Sequence, residues 1–206
     1  MSVLDKKIYL ASRSPRRREL LAQIGVSFEV LLLREDAARS MDVDETPLPN
    51  ENPHDYVLRI SRSKAEAGWQ RVLQRRLPHH PVLVADTAVV LGDRIMGKPV
   101  NREAAMEMLS ALSGKKHKVL TAVAVASGER IEHRLSVSTV QLGELTDHVI
   151  RRYVMSGEPL DKAGAYAVQG KAAAFIEKIE GSYSGVMGLP LYETSQLLAQ
   201  FGMEVL

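Results

Sequence analysis

The chain has 206 residues, 45% of them apolar and 25% charged, with a net charge of +2 and no cysteine. This is the composition of an ordinary globular protein, long enough for a sizeable core as one large domain or two small lobes, and it excludes disulfides, thiolate zinc sites and a cysteine nucleophile. The small charge, with only three Phe, six Tyr and one Trp, argues against a nucleic-acid partner, and no apolar run approaches the ~20 residues of a membrane span or forms a signal-peptide core, so a soluble cytoplasmic protein is expected.

Lys7 to Leu20, KIYLASRSPRRREL, reads as a strand, a tight turn and a helix start. Ser14 is a good N-cap, and Pro15 at the first helical position gives up only an N–H with no intrahelical partner. The first turn then carries Arg16, Arg17 and Arg18 where the helix dipole is already positive, each cation disfavoured by roughly 0.3–1 kcal/mol. An anion would offset this cost. Free backbone N–H groups, the Ser12 and Ser14 hydroxyls and the guanidinium forks together make a phosphate site. Successive helical residues diverge by about 100°, so Arg16 and Arg17 are assigned to the anion and Arg18 to solvent. The plainer alternative is a capped surface helix with a solvated basic cluster.

The first helix is expected from Pro15 to about Ile24, stopped by Gly25, and a strand from Ser27 to Leu33. Arg34 to Asn52 is polar, acidic and proline-bearing, which is long for a connection, and such loops are usually functional or disordered. Asn52 and Pro53 repeat the cap-then-proline signal ahead of a helix to about Arg75. Its inward stripe of Tyr56, Val57, Ile60, Ala67 and Val72 also contains Lys64, for which a snorkelling side chain is the simplest reading.

Pro81 to Leu91 is the most apolar strand, and Asp86 sits in its middle. An unpaired buried carboxylate is costly, so a cation, a metal or a cleft should lie beside it. Alternation puts Asp86 on the face of Val84 and Ala88, with Thr87 opposite. Gly92 and Asp93 turn the chain into a short second strand, and Gly97, Lys98 and Pro99 form a stiff corner that holds the lysine in a fixed place. The alternative for Lys98 is a solvated turn residue.

Asn101 caps a helix from Arg102 to about Leu112. Lys118 to Ala126 and Glu132 to Leu142 read as a hairpin around Ser127–Gly128, and Thr146 caps a helix from Asp147 to Met155. Glu158 to Gly170 is a loop rich in glycine and alanine, with Asp161, Lys162 and Gln169 embedded in it. A strand at Ala174 to Ile179 and a glycine-rich turn at Gly181 to Pro190 lead to a last helix from Leu191 to Gln200. Strands that alternate with helices but also form hairpins predict a mixed sheet in an α/β or α+β fold.

Gathered together, the anion site at Ser12 to Arg17, Lys64, Lys98, the acidic loop around Asp44 and Glu45, and Asp86 suit a metal-bound polyphosphate. Carboxylates hold Mg²⁺ through one or two oxygens while substrate phosphates supply others. No Walker-type, dinucleotide or GxSxG motif occurs, and the six histidines lack metal spacing.

The segments LASRSPRRREL, DVDETPLPNENPHDYVLRISRSKA, VADTAVV, GKP, LDKAGAYAVQG and GSYSGVMGLPL, in this order, closely resemble the Maf-like nucleoside triphosphate pyrophosphatases, also called septum formation inhibitor proteins. The resemblance runs from about Ile8 to Phe201, and its last two segments look like the branch acting on dTTP and UTP, less like the 7-methylguanosine triphosphate branch. It implies a single domain over 1–206, an elongated α/β protein with a twisted mixed sheet flanked by helices, two lobes around a central cleft, and a homodimer. It implies a house-cleaning hydrolase that attacks the α-phosphorus of dTTP, UTP or modified nucleotides and releases a monophosphate and pyrophosphate with Mg²⁺ or Mn²⁺. On that resemblance Asp86 is the catalytic base, Arg16, Thr87 and Gln169 select the base, and Arg17, Glu45, Lys64 and Lys98 handle phosphates and metal. Catalysis is thus expected of Asp86, Lys98 and Lys64, substrate binding of Ser12, Ser14, Arg16, Arg17, Thr87 and Gln169, and metal binding of Glu45 and Asp86. The chain departs from the family in carrying Arg13 where glycine is frequent, and in a segment at residues 34–41 that reads as an insertion. A non-catalytic phosphate or nucleic-acid binding module, with Asp86 a satisfied core carboxylate, is the alternative from another class.

Overall fold

The computed structural model describes residues 7–34 and 42–205; most of the insertion at 34–41 falls outside them. Seven strands form one mixed sheet in the order β2-β1-β3-β5-β6-β7, with β4 (Arg94–Met96) paired to β3 off this path. β1 (Ile8–Leu10) runs parallel to β2 (Phe28–Val30) and to β3 (Val82–Leu91), whereas β5 (Lys116–Ser127), β6 (Arg130–Leu142) and β7 (Ile176–Glu180) add antiparallel strands. The hairpin is longer at both ends than the sequence pattern indicates. Its turn glycine, Gly128, has φ 64°, a value that favours glycine.

Helix α2 (Pro53–Gln74) covers one sheet face. Tyr9, Val82 and Val84 pack with Ala65, Trp69 and Val72, while Ala88 and Val90 pack with Tyr56, Val57 and Ile60. The opposite face carries two separate cores. Leu83 and Ala85 join Leu20 and Leu21 of α1 (Pro15–Gln23) with Leu197 and Leu198 of α6 (Leu191–Ala199). Val89 and Val119 join α3 (Arg102–Leu112) and α4 (Asp147–Met155) through Leu109, Leu112, Ile150 and Tyr153. Between these two cores, Thr87 on β3 lies directly across from Thr121 on β5.

Local expectations hold where one side chain decides the outcome. Asn52 accepts from the His54 amide, Asn101 from Ala104 and Thr146 from Val149, which satisfies amides that each helix leaves open. Ser14 differs: its side chain makes no cap bond, and its own amide donates to Ser12 Oγ at 3.2 Å. The second strand covers only Phe28–Val30 of the expected 27–33, because Leu31 makes the last backbone bond to β1. The expected strand start at Ala174 is a 3-10 turn, Lys171–Phe175, and β7 begins at Ile176. The glycine-rich turn before the last helix contains a short helix, α5 (Tyr183–Met187), capped by Ser182.

Candidate active site

A gap in the sheet sets the site. β1 pairs with β3 only through Val82 and Leu83, and β4 (Arg94–Met96) joins the same edge at Val89. Among the described residues, 84–88 of β3 therefore have no strand neighbour on that side, and a cleft of about 580 Å³ opens over them. That volume suits a small-molecule ligand. Because β3 is fully extended here, Asp86 faces α2 and Thr87 faces the other side, so both sheet faces contribute to one cleft.

Asp86 is 6% exposed and is not left alone. Lys64 reaches it from the middle of α2, with Nζ 2.7 Å from Asp86 Oδ1 and 2.8 Å from Glu45 Oε1. Snorkelling is therefore the wrong reading of Lys64, because the ammonium turns inward to two carboxylates. Burial alone would lower its pKa, but the Asp86 and Glu45 charges outweigh that effect and raise it, so Lys64 is held as a cation. Tyr56, read from the sequence as a core residue, also lines the cleft and donates from its hydroxyl to the Glu45 carbonyl at 3.0 Å. Burial, aided by Asp86 and Glu45, pushes that phenol up to about 12.

Across the cleft stands the turn before α1. Ser12, Ser14, Arg16 and Arg17 all line the cleft, and Arg18 is exposed away from it, as helical spacing requires. Arg16 donates from Nε to the Met187 carbonyl at 3.3 Å, and burial pushes its guanidinium down from the ordinary arginine value, opposed first by Asp161. Arg17 is engaged more heavily. Its Nε donates to the Gly188 carbonyl at 2.7 Å, Nη1 to the Ala85 carbonyl at 2.7 Å and to Ser12 Oγ at 3.4 Å, and Nη2 to Thr87 Oγ1 at 3.2 Å. All four contacts are with the protein's own oxygens, so the anion assigned to Arg17 from helical spacing meets a largely committed fork. Arg13, the residue where glycine is frequent, is exposed and donates to the Leu33 carbonyl at 3.4 Å, which ties the turn to the chain after β2.

Lys98 projects from the Gly97–Pro99 corner into the cleft lining and is exposed. The corner is fastened where the Gly164 amide donates to the Gly97 carbonyl at 3.1 Å. Asp161 and Lys162, in contact with each other, line the same wall. Gln169 is the expected site residue that the cleft does not include: it is exposed in a turn, one residue past the lining residue Val168. That turn is anchored by Glu158, which accepts from the Tyr153 hydroxyl at 2.9 Å and the Lys171 amide at 3.1 Å.

A family model described as "Maf-like protein" matches residues 7–201, nearly the whole chain. The chain belongs to this Maf-like family. It is 59% identical over 198 residues to the dTTP/UTP pyrophosphatase of Nitrosomonas europaea, covering 96% of each chain. The enzymes of the same name from Aromatoleum aromaticum and Nitrosospira multiformis are each 56% identical, over 98% and 100% of this chain and 98% and 99% of theirs.

The carboxylates of the cleft decide whether it fits a divalent cation. Among the described residues no group of three or more His, Asp or Glu side chains is placed to hold a metal by itself. Glu45 and Asp86 nonetheless each bring one oxygen to the same Lys64 ammonium in the cleft lining. Two carboxylates of this kind fit Mg²⁺ or Mn²⁺ when phosphate oxygens and water complete the shell. Thr121, like the cleft role of Tyr56, escaped the sequence reading. Thr121, 1% exposed in an apolar strand, bonds Thr87 and the Gly185 carbonyl; its only sequence signal is a hydroxyl among Leu120, Ala122 and Val123.

Proposed function

We propose that this chain is a dTTP/UTP pyrophosphatase, hydrolysing the nucleoside triphosphate at its α-phosphorus to the monophosphate and pyrophosphate. The observation that carries the reading is the Asp86–Lys64–Glu45 cluster on the open edge of β3, facing the arginine turn across a nucleotide-sized cleft. High identity to relatives named for this activity supports the substrates.

In this reading the triphosphate lies between Arg16, Ser12 and Ser14 on one wall and Lys98 on the other, which neutralise its charge. Asp86 accepts a proton from the attacking water, whose oxygen forms the new bond to the α-phosphorus. The bond from that phosphorus to the bridging oxygen breaks, and pyrophosphate leaves. Lys64 holds the Asp86 carboxylate in place through its 2.7 Å contact. Glu45 and Asp86 would hold a divalent cation, which when bound supplies positive charge to the phosphates. Arg17 keeps the turn, Thr87 and the Gly188 loop together, and Gln169 stands at the rim for contact with the base.

Family membership supports a single domain over 1–206, a homodimer and a cytoplasmic setting. Among the described residues no helix is long and apolar enough to cross a membrane. The deciding experiment measures pyrophosphate released from dTTP, UTP, CTP, ATP, GTP and 7-methylguanosine triphosphate with Mg²⁺ or Mn²⁺. dTTP and UTP are expected to be fastest. Preference for the methylated nucleotide moves the chain to the other branch, and binding without release makes it a binding module.

A further inference from the structure

Thr87 and Thr121 face each other across β3 and β5 with their Oγ1 atoms 3.0 Å apart. Distance alone leaves the donor undecided, but the partners on either side decide it. Thr121 Oγ1 lies 2.8 Å from the Gly185 carbonyl oxygen, which carries no hydrogen, so the single Thr121 proton points there. The proton between the two threonines must then belong to Thr87. On its other side Thr87 Oγ1 accepts from Arg17 Nη2 at 3.2 Å. A hydroxyl has one proton and two lone pairs, and Thr87 has now committed its proton and one pair. What remains, on a residue that lines the cleft, is one lone pair.

We propose that Arg17 and Thr121 fix the Thr87 hydroxyl as a hydrogen-bond acceptor toward the cleft, and that Thr121 is thereby a positioning residue for base selection. Ionised phosphates offer no hydrogen, so this lone pair repels them and must meet the nucleoside part of the ligand. The inference rests on the reading of dTTP and UTP as substrates. Their shared donors are the imide N–H of the base and the 3′-hydroxyl, and the imide is the group that separates them from cytosine, whose ring nitrogen at that position carries a lone pair. Thr87 therefore accepts from the imide of thymine or uracil and opposes cytosine.

The test compares the unmutated protein, Thr121→Val and Thr121→Ser on dTTP, dCTP, N3-methyl-dTTP and 3′-deoxy-dTTP. Turnover and the affinity for α,β-methylene analogues of dTTP and dCTP are both measured. The unmutated protein should lose about tenfold in kcat/KM on dCTP and N3-methyl-dTTP relative to dTTP, the worth of one hydrogen bond with its partner left unmet, and little on 3′-deoxy-dTTP. Thr121→Val frees the Thr87 proton to point into the cleft, so the dTTP to dCTP ratio should fall toward one, whereas Thr121→Ser keeps the ratio. A purely structural role would lower both substrates alike and leave the ratio unchanged, which overturns the proposal while the pyrophosphatase reading stands. If no triphosphate is hydrolysed, the pyrophosphatase reading fails, and the analogue affinities still decide whether Thr121→Val shifts the ratio. Should Thr121→Val not fold, equal use of dTTP and N3-methyl-dTTP by the unmutated protein overturns the proposal.

Discussion

Lys64 Nζ stands 2.7 Å from Asp86 Oδ1, and this one contact joins the middle of the longest helix to the open edge of the central strand. It gives the carboxylate of an apolar strand a cation as its partner. It also separates charge from stability in a testable way. Asp86→Asn keeps the shape and an acceptor oxygen for Lys64, while Glu45 keeps its contact. The variant should fold, melt close to the parent and lose at least about a hundredfold in pyrophosphate release, the scale of a missing general base. A variant with parental turnover would return Asp86 to a structural role.

The arginines of the α1 turn should divide by their partners. Arg17→Ala leaves the Ala85 and Gly188 carbonyls without their donor, at about 1–3 kcal/mol for each group that water does not reach. A drop in melting temperature on the order of 5–10 °C is expected for a chain of this size. Arg16→Ala should leave the melt almost unchanged and raise KM, and Arg18→Ala should alter neither. Thermal melts with steady-state kinetics on the three variants check the division. Equal effects of Arg16→Ala and Arg18→Ala would remove Arg16 from the ligand.

Legibility in the sequence followed the range of the interaction. Caps at Asn52, Asn101 and Thr146 depend on residues two or three positions away, and they formed as read. The demand for a partner beside Asp86 was also readable, since buried charge is costly in any fold. Its identity was not, because Lys64 becomes that partner only when α2 packs across β3. Arg17 shows the limit most clearly. Its acceptors at Gly188 and Ala85 lie 171 and 68 residues along the chain, and no local spacing encodes them. The pairing of Thr87 with Thr121 needed the β3–β5 register, and the exposed position of Gln169 needed the packing of its turn.

His117, behind the cleft-lining Tyr166, gives stability a dependence on pH. It is 3% exposed, meets the Tyr166 hydroxyl through Nε2 at 2.8 Å, and burial pushes its pKa from 6.5 down to about 4. The folded state thus binds fewer protons here than the unfolded state, and stability is lost as pH falls. The contribution is complete above the unfolded value of 6.5 and declines toward about 4, by roughly 3 kcal/mol in total. Urea unfolding at pH 7.5, 6, 5 and 4.5 should show this loss, and His117→Gln should flatten the profile. A profile of unchanged slope in His117→Gln would assign the acid sensitivity to carboxylates instead.

Gly170→Ala tests whether Glu158 sets the turn that carries Gln169. A methyl group at position 170 would run into the Glu158 carboxylate, and that carboxylate is not free to swing away, because the Tyr153 hydroxyl and the Lys171 amide hold it at 2.9 and 3.1 Å. Either the turn moves or Glu158 gives up both bonds. Stability should fall by about 1–3 kcal/mol, the range for leaving such groups unmet. If Gln169 reads the base from the rim, a displaced turn should also narrow the preference for dTTP over ATP, as Gln169→Ala should. Melting temperature and the ratio of kcat/KM for dTTP and ATP are the two readouts. A lower melt with an unchanged ratio in both variants would leave Glu158 as a structural anchor and remove Gln169 from base selection.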